Sequence, residues 1–372
     1  MVLNDYTLKI VALGSMLLGI ISGVLGSFAV VRKESLLGDA ISHAALPGIA
    51  LAFLVTQTKH TETLLLGALI SGLLASLIII AIEKYSRIKF DSALALVLSV
   101  FFGIGMVLLT YIQKIPDAEQ AGLESFIYGQ ASTLLRRDVR LMLVLGSVLI
   151  ISIVVFWKEF MLVSFDSDYA ESLGFSSRRL TLLLSTMIVL SIIIGLQTVG
   201  VILMSAMLTA PAVAARQWTN KFSKMVVLAG FFGALSGLVG TVLSSLVEDL
   251  PTGPTIVLTI SLIVVISLAL APARGLVWKY FRDRRNQKNI NKNQLLFNIY
   301  ELALNHEDIY HSHDIYTIKP MKARSKKSIE LARQNLEVLE GQGLVKRDYF
   351  DSWSITGQGI EYVEKNLLRE GY

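Results

Sequence analysis

Two residues near the N-terminus have the types and spacing to do chemistry. Asp39 and His43 lie four apart in the segment LGDAISHAALPG, residues 37–48. That spacing puts both on one face of a helix, one turn apart. A carboxylate and an imidazole together are competent ligands for Mn(II), Zn(II) or Fe(II). Two ligands do not close a site, and a second copy of the same helix across a two-fold axis would supply four. The pair has quieter readings too: Asp39 caps the helix and His43 hydrogen-bonds a neighbour, or the two relay protons. What surrounds the pair decides how costly such groups are.

The surroundings are apolar. Of 372 residues, 53% are hydrophobic and 17% charged, and the mean hydropathy is +0.60, outside the range of ordinary soluble domains. There is no cysteine, which excludes disulfides, thiolate metal sites and cysteine nucleophiles. The first residues carry neither a basic n-region nor a small-residue cleavage pattern, so a mature membrane segment is expected there. A bilayer core of about 30 Å needs roughly 20 apolar residues per helix. Nine stretches qualify: 8–31, 39–57, 63–83, 91–112, 139–157, 179–197, 199–215, 225–247 and 254–272. The seventh is short and contains Pro211, and the second contains Pro47 and Gly48. Broken helices at membrane depth are tolerated where they line a cavity. Gly19 with Gly23, and Gly233 with Gly237, have the four-residue spacing of closely packed helices. An ionisable pair in such a helix points at a partner, a cavity or an ion.

Basic residues near helix ends set orientation. Eleven fall in one set of alternate loops (Arg32, Lys33, Lys84, Arg87, Lys89, Lys158, Arg178, Arg179, Arg216, Lys221, Lys224) and six in the other (Lys9, Lys59, Lys114, Arg136, Arg137, Arg140). The bias predicts the N-terminus outside and the C-terminus in the cytoplasm, with the Arg136–Arg140 cluster running against it. Apolar runs stop near Ala273. Residues 1–273 carry 17 basic and 16 acidic side chains, and residues 274–372 carry 17 and 13. The chain therefore divides into a membrane domain, 1–273, a basic juxtamembrane linker, 274–292, near anionic lipid, and a soluble tail, 293–372.

Four blocks in fixed order carry a family resemblance: RKESLLGDAISHAALPGIA (32–50), FDSDYAESLG (165–174), QTVGVILMSAMLTAPA (197–212) and DLPTGP (249–254). The chain resembles the zinc/manganese/iron permeases of ATP-binding-cassette transporters over about residues 5–275. The resemblance implies a metal pathway through Asp39 and His43, and a cytoplasmic segment that touches the ATPase, here Asp166, Asp168, Tyr169, Leu173 and Gly174. Taken alone, residues 158–178 read as a short amphipathic helix suited to a partner's groove, or as an ordinary interfacial loop. Gln197 stands beside a helix interruption and either faces the ion or bonds between helices. No G-x-x-x-x-G-K-[ST] occurs, so ATP hydrolysis by that route belongs to a separate subunit. The resemblance implies a bacterial cell-membrane protein that is not itself an enzyme. It also implies no resident cofactor, a transported Mn, Zn or Fe ion, and as partners an ATPase, an extracytoplasmic metal-binding protein and a second copy.

The tail reads as helix (Asn293–Asn305), helix (Ser325–Gly341), a short strand (Tyr349–Ile355) and a last helix from an N-cap at Thr356. This order resembles a winged helix-turn-helix of the diphtheria-toxin-repressor type, without that family's dimerisation domain. Lys322, Arg324, Lys326, Lys327 and Arg333 form a basic patch suited to phosphates of DNA or of lipid, or a solvated face. His306, His311 and His313 form a loose cluster, readable as a metal sensor or as surface histidines. The expected whole is an all-α polytopic membrane protein of eight or nine spans with a small α/β winged helix-turn-helix tail. The rival function is a membrane-tethered, metal-responsive transcription regulator.

Overall fold

The computed structural model describes residues 6–57, 60–114, 129, 134–247, 250–306, 308–318, 326–348 and 352–367. It divides into two compact units, Met1–Leu276 and Val277–Tyr372.

The first unit is helical because lipid offers no water to satisfy the backbone. Its helices are α1 (Tyr6–Val31), α2 (Leu37–Thr56), α3 (Thr61–Tyr85), α4 (Phe90–Ile112), α5 (Arg136–Val155), α6 (Trp157–Phe165), α7 (Ser167–Ser172), α8 (Ser177–Val199), α9 (Val201–Trp218), α10 (Phe222–Leu246) and α11 (Thr252–Leu270). Among the described residues, eight are long and apolar enough to cross a membrane: α1 to α5, α8, α10 and α11. The seventh apolar stretch of the sequence forms α9, 18 residues long, which is not among those eight. In the most apolar window of α2, 67% of residues are buried, against 22% for α5. The helix carrying Asp39 and His43 is thus central, and α5 presents most of its surface outward.

Lipid tails are as apolar as leucine, so helices gain cohesion by close backbone approach. Glycine supplies it at two seams. A Cβ on Gly19 of α1 would overlap the Gly233 carbonyl of α10, and the reverse holds. A Cβ on Gly48 of α2 would overlap the Gly67 carbonyl of α3. On the other flank of α2, Gly105 of α4 sits against Leu46 and Pro47. The interruption expected near residue 200 is real: Gly200 separates α8 from α9 with φ 86° and ψ 166°, backbone open in practice only to glycine. Pro211 stays inside α9.

In the second unit, α12 (Leu276–Leu304) is a single 29-residue helix. It runs through the basic stretch 274–292 and the helix expected from Asn293. Then come β1 (His313–Asp314), α13 (Ile315–Ile318), α14 (Lys326–Gly341), β2 (Val345–Asp348), β3 (Ser352–Ile355), α15 (Gly357–Tyr362) and a π-helical turn, Val363–Leu367. The strands form an antiparallel sheet in the order β1-β3-β2. Leu296, Ile299, Leu336, Leu339, Trp353 and Val363 build a core of this unit's own. Thr356 caps α15, its Oγ1 accepting from the Gly359 N–H at 3.1 Å.

Gly19→Ala is expected to lower the melting temperature of the detergent-purified protein, because α1 and α10 must part. Gly103→Ala, on α4 where an added Cβ meets nothing within 4 Å, is expected to hold or raise stability, by up to about 1 kcal/mol. Equal melting of wild type and Gly19→Ala would show that the seam does not depend on close approach.

Candidate functional site

Asp39 and His43 share a face of α2, as their spacing requires. Asp39 lies in the first turn, at the helix end that favours negative charge. The helix starts after Leu36, and no side chain caps it. The Asp39 Oδ1 to His43 Nε2 distance is 3.5 Å, with the side chains 39% and 18% exposed. That is an approach rather than a formed hydrogen bond. The His43 ring meets the edge of Phe102 on α4, with centroids 4.8 Å apart. His43 Nδ1 is buried and has no hydrogen-bond partner among the described residues.

The turn below is held rigidly. Pro47 has no N–H to give, so the His43 carbonyl loses its helical donor. Ser71 on α3 donates its hydroxyl to the next carbonyl, that of Ala44, at 2.6 Å. Among the described residues, no three His, Asp or Glu side chains gather as one metal site. Asp39 and His43 therefore offer two donors; an ion held there would need a third from water, backbone or a second chain.

The turn entering α2 carries an ion pair that the sequence reading left without a role. Arg32 donates from Nε and Nη2 to Glu34 Oε1 at 2.9 and 2.6 Å, with both side chains nearly buried. Burial pushes the Glu34 carboxyl above its usual range, while Arg32 pulls it back. The Glu34 N–H bonds the Ala29 carbonyl at 2.9 Å, closing the turn between α1 and α2. Phe102 was likewise missed. No pattern singles out one phenylalanine among 16, whereas Glu34 stood inside the first family block and could have been suspected.

The segment around residues 165–174 folds as a self-contained helical turn. Asp166 caps α7, accepting from the Tyr169 N–H at 2.9 Å. At the other end Gly174 takes φ 86°. Its N–H bonds the Glu171 carbonyl, and Phe175 N–H bonds that of Ala170, the paired closure of a Schellman motif. Asp168 lies in the first turn. Ala170 is buried, while Tyr169 and Leu173 are 53% and 54% exposed. An apolar surface is thus held out on a rigid turn. Gln197 lies in the last turn of α8, and its side chain lies outside the described residues. The break after it is packed by two glycines: Gly129, where a Cβ would overlap Val199, and Gly253, where one would sit 3.3 Å from the Val199 carbonyl.

In the tail, Lys322 and Arg324 lie outside the described residues, as do the side chains of Lys326 and Lys327 in the first turn of α14. Arg333 pairs with Glu330 at 3.5 Å. The three histidines do come together. Ring centroids are 4.9 Å apart for His306 and His311, 5.0 Å for His306 and His313, and 5.4 Å for His311 and His313. His306 and His311 are exposed, while His313 is only 6% exposed. Burial first, then the neighbouring His306 and His311, push the His313 pKa below the ordinary imidazole value.

The sequence matches the ABC 3 transport family over residues 4–271. It is 43% identical over 358 residues to the manganese transport system membrane protein MntC of Bacillus subtilis, covering 96% of this chain and 81% of that protein. It is 49% identical over 282 residues to the zinc transport system membrane protein TroC of Treponema pallidum, covering 76% and 95%. Among solved structures, PsaBC from Streptococcus pneumoniae in complex with Fab is similar with a TM-score of 0.65 and 29% identity, over 76% of this chain and 96% of that one.

A histidine kept neutral by the fold binds fewer protons folded than unfolded. Stability of the tail should therefore rise with pH, and be lost as pH falls through the unfolded value near 6.5 toward the lower folded one. Thermal unfolding of the full chain at pH 7.5 and 5.5 is expected to show the tail transition at lower temperature in acid, with a smaller shift in His313→Leu. An acid-stabilised tail would contradict this.

Proposed function

Because the chain belongs to the ABC 3 transport family, we propose that it is the permease of an ATP-driven importer that moves manganese or zinc across the bacterial cell membrane by alternating access. The observation that carries this is the position of Asp39 and His43, side by side on the most buried spanning helix of a unit matched almost end to end by the family. The relatives named for manganese and zinc make these ions better candidates than iron. The ion is cargo: it sheds water, meets an anionic oxygen from Asp39 and a neutral nitrogen from His43, and moves on. Two donors hold it loosely enough to release it, and a second copy of the chain would add two more.

Energy enters through a separate ATPase. The exposed Tyr169 and Leu173 on the closed turn α7, with Asp166, Asp168 and Gly174 shaping it, suit a groove on that partner. The loop-charge bias favours α7 and the C-terminus in the cytoplasm, which would leave the outer face for a metal-binding protein. In the tail, the succession α12, β1, α13, α14, β2, β3 supports a winged helix-turn-helix of the repressor type. The first turn of α14 and the segment before it would meet phosphates of DNA or of lipid. That order also favours the second reading, a tethered regulator, and DNA binding by the full chain at physiological salt would decide for it.

Tracer uptake in cells co-expressing the chain with its ATPase and metal-binding protein tests the permease reading. Asp39→Ala and His43→Ala are each expected to cut uptake of one ion by more than about tenfold at normal membrane levels, since even outer-shell changes at metal sites cost about 10–100-fold. Undiminished uptake in both variants would return the pair to a structural role.

A further inference from the structure

The three tail histidines share no residue with the transport pathway, and the function above makes no use of them. His306 follows the C-terminal end of α12, its N–H bonded to the Ala303 carbonyl at 3.3 Å. His311 closes a turn onto the Asp308 carbonyl at 3.1 Å. His313 begins β1, opposite Trp353 of β3. All three lie within the second unit. We propose that His306, His311 and His313 form a binding site for a zinc-class divalent ion on the tail.

The spacing of the rings is the first argument. A zinc–nitrogen bond of about 2.1 Å puts the ion roughly 3.2 Å from an imidazole centroid, so two rings at a tetrahedral angle have centroids about 5.2 Å apart. The observed separations, 4.9, 5.0 and 5.4 Å, bracket that value on all three sides of the triangle. The second argument is the buried member. His313 is 6% exposed, and its Nε2 has no hydrogen-bond partner among the described residues. A desolvated ring nitrogen without a partner is costly, and an ion would satisfy it.

The donor atoms do not converge as they stand: among the described residues no three ligating side chains are gathered for an ion. Closure requires the rings of His306 and His311 to turn. Both are exposed, and exposed side chains change rotamer within nanoseconds. The site is one buried, fixed ligand and two that swing onto it. Three imidazoles without a thiolate suit Zn(II), Co(II), Ni(II) or Cu(II), while Mn(II) prefers oxygen. The tail would thus read zinc-class ions whichever ion the spans carry. An ion there ties the end of α12 to β1, so occupancy stiffens the unit. The proposal stands whether or not the transport reading holds.

The test uses the full chain, purified in detergent without a polyhistidine tag, in an Asp39→Ala/His43→Ala background that removes the pathway pair. Zinc is titrated by equilibrium dialysis, and cobalt by its visible absorption. One zinc ion per chain and a cobalt spectrum with intense tetrahedral bands are expected, with a zinc-dependent rise in the tail melting temperature. Adding His306→Gln and His311→Gln, both exposed, should abolish all three signals while leaving metal-free melting unchanged. No zinc bound by the parent, or equal stoichiometry with and without the two glutamines, would overturn the proposal.

Discussion

The permease unit depends on backbone meeting backbone. In water, helices associate because apolar faces leave solvent; in lipid that drive is missing, and cohesion comes from contact at short range. Gly19 against Gly233 joins α1 to α10, and Gly48 against Gly67 joins α2 to α3. With Gly105 of α4 on its other side, α2 is clamped by glycine along the same stretch that carries its proline. The placement of Asp39 and His43 follows from that clamp. A carboxylate and an imidazole can sit on a mostly buried helix because the helix itself is held in register by groups that have no side chain to yield.

The same economy governs the turns. Arg32 and Glu34 close the path from α1 into α2 with a nearly buried pair whose other nitrogen and oxygen, Arg32 Nη1 and Glu34 Oε2, find no bond among the described residues. A buried pair of this kind is weak evidence for stability and better evidence for a fixed geometry. It sits in the turn from which α2 departs, where the Glu34 N–H also bonds the Ala29 carbonyl.

Much of this was legible in the sequence. Hydropathy located the spans, because twenty apolar residues in a row have few other uses. The four-residue spacing put Asp39 and His43 on one face, and the glycine at 200 announced a break. What could not be read were relations between distant segments. Nothing in a string of residues says that Gly129 packs on the break at Gly200, or that Phe102 rather than a polar group meets His43. The stretch 274–292 reads as a basic linker on its charge. Yet lysine, arginine and glutamine are good helix formers, and the structure runs one helix through it. The winged-helix resemblance drew attention to the basic patch, while the histidine cluster became informative only when strand β1 brought His313 into the interior.

The closed turn α7 has a mechanical consequence. A six-residue helix would ordinarily fray under load, dissipating any displacement imposed on it. Here Asp166 seals one end and Gly174 the other, so both ends of the turn are held by hydrogen bonds. Ser177 N–H bonds the Phe175 carbonyl, joining it to α8, a rod of 23 residues or about 34 Å. The far end of that rod is Gly200, and beyond it α9 lies against α2, where a Cβ on Gly38 would stand 3.3 Å from the Ser205 Cα. Asp39 is the next residue. A rigid turn bearing Tyr169 and Leu173, a long helix, a glycine break and the Asp39 carboxylate therefore stand in one continuous line of contacts.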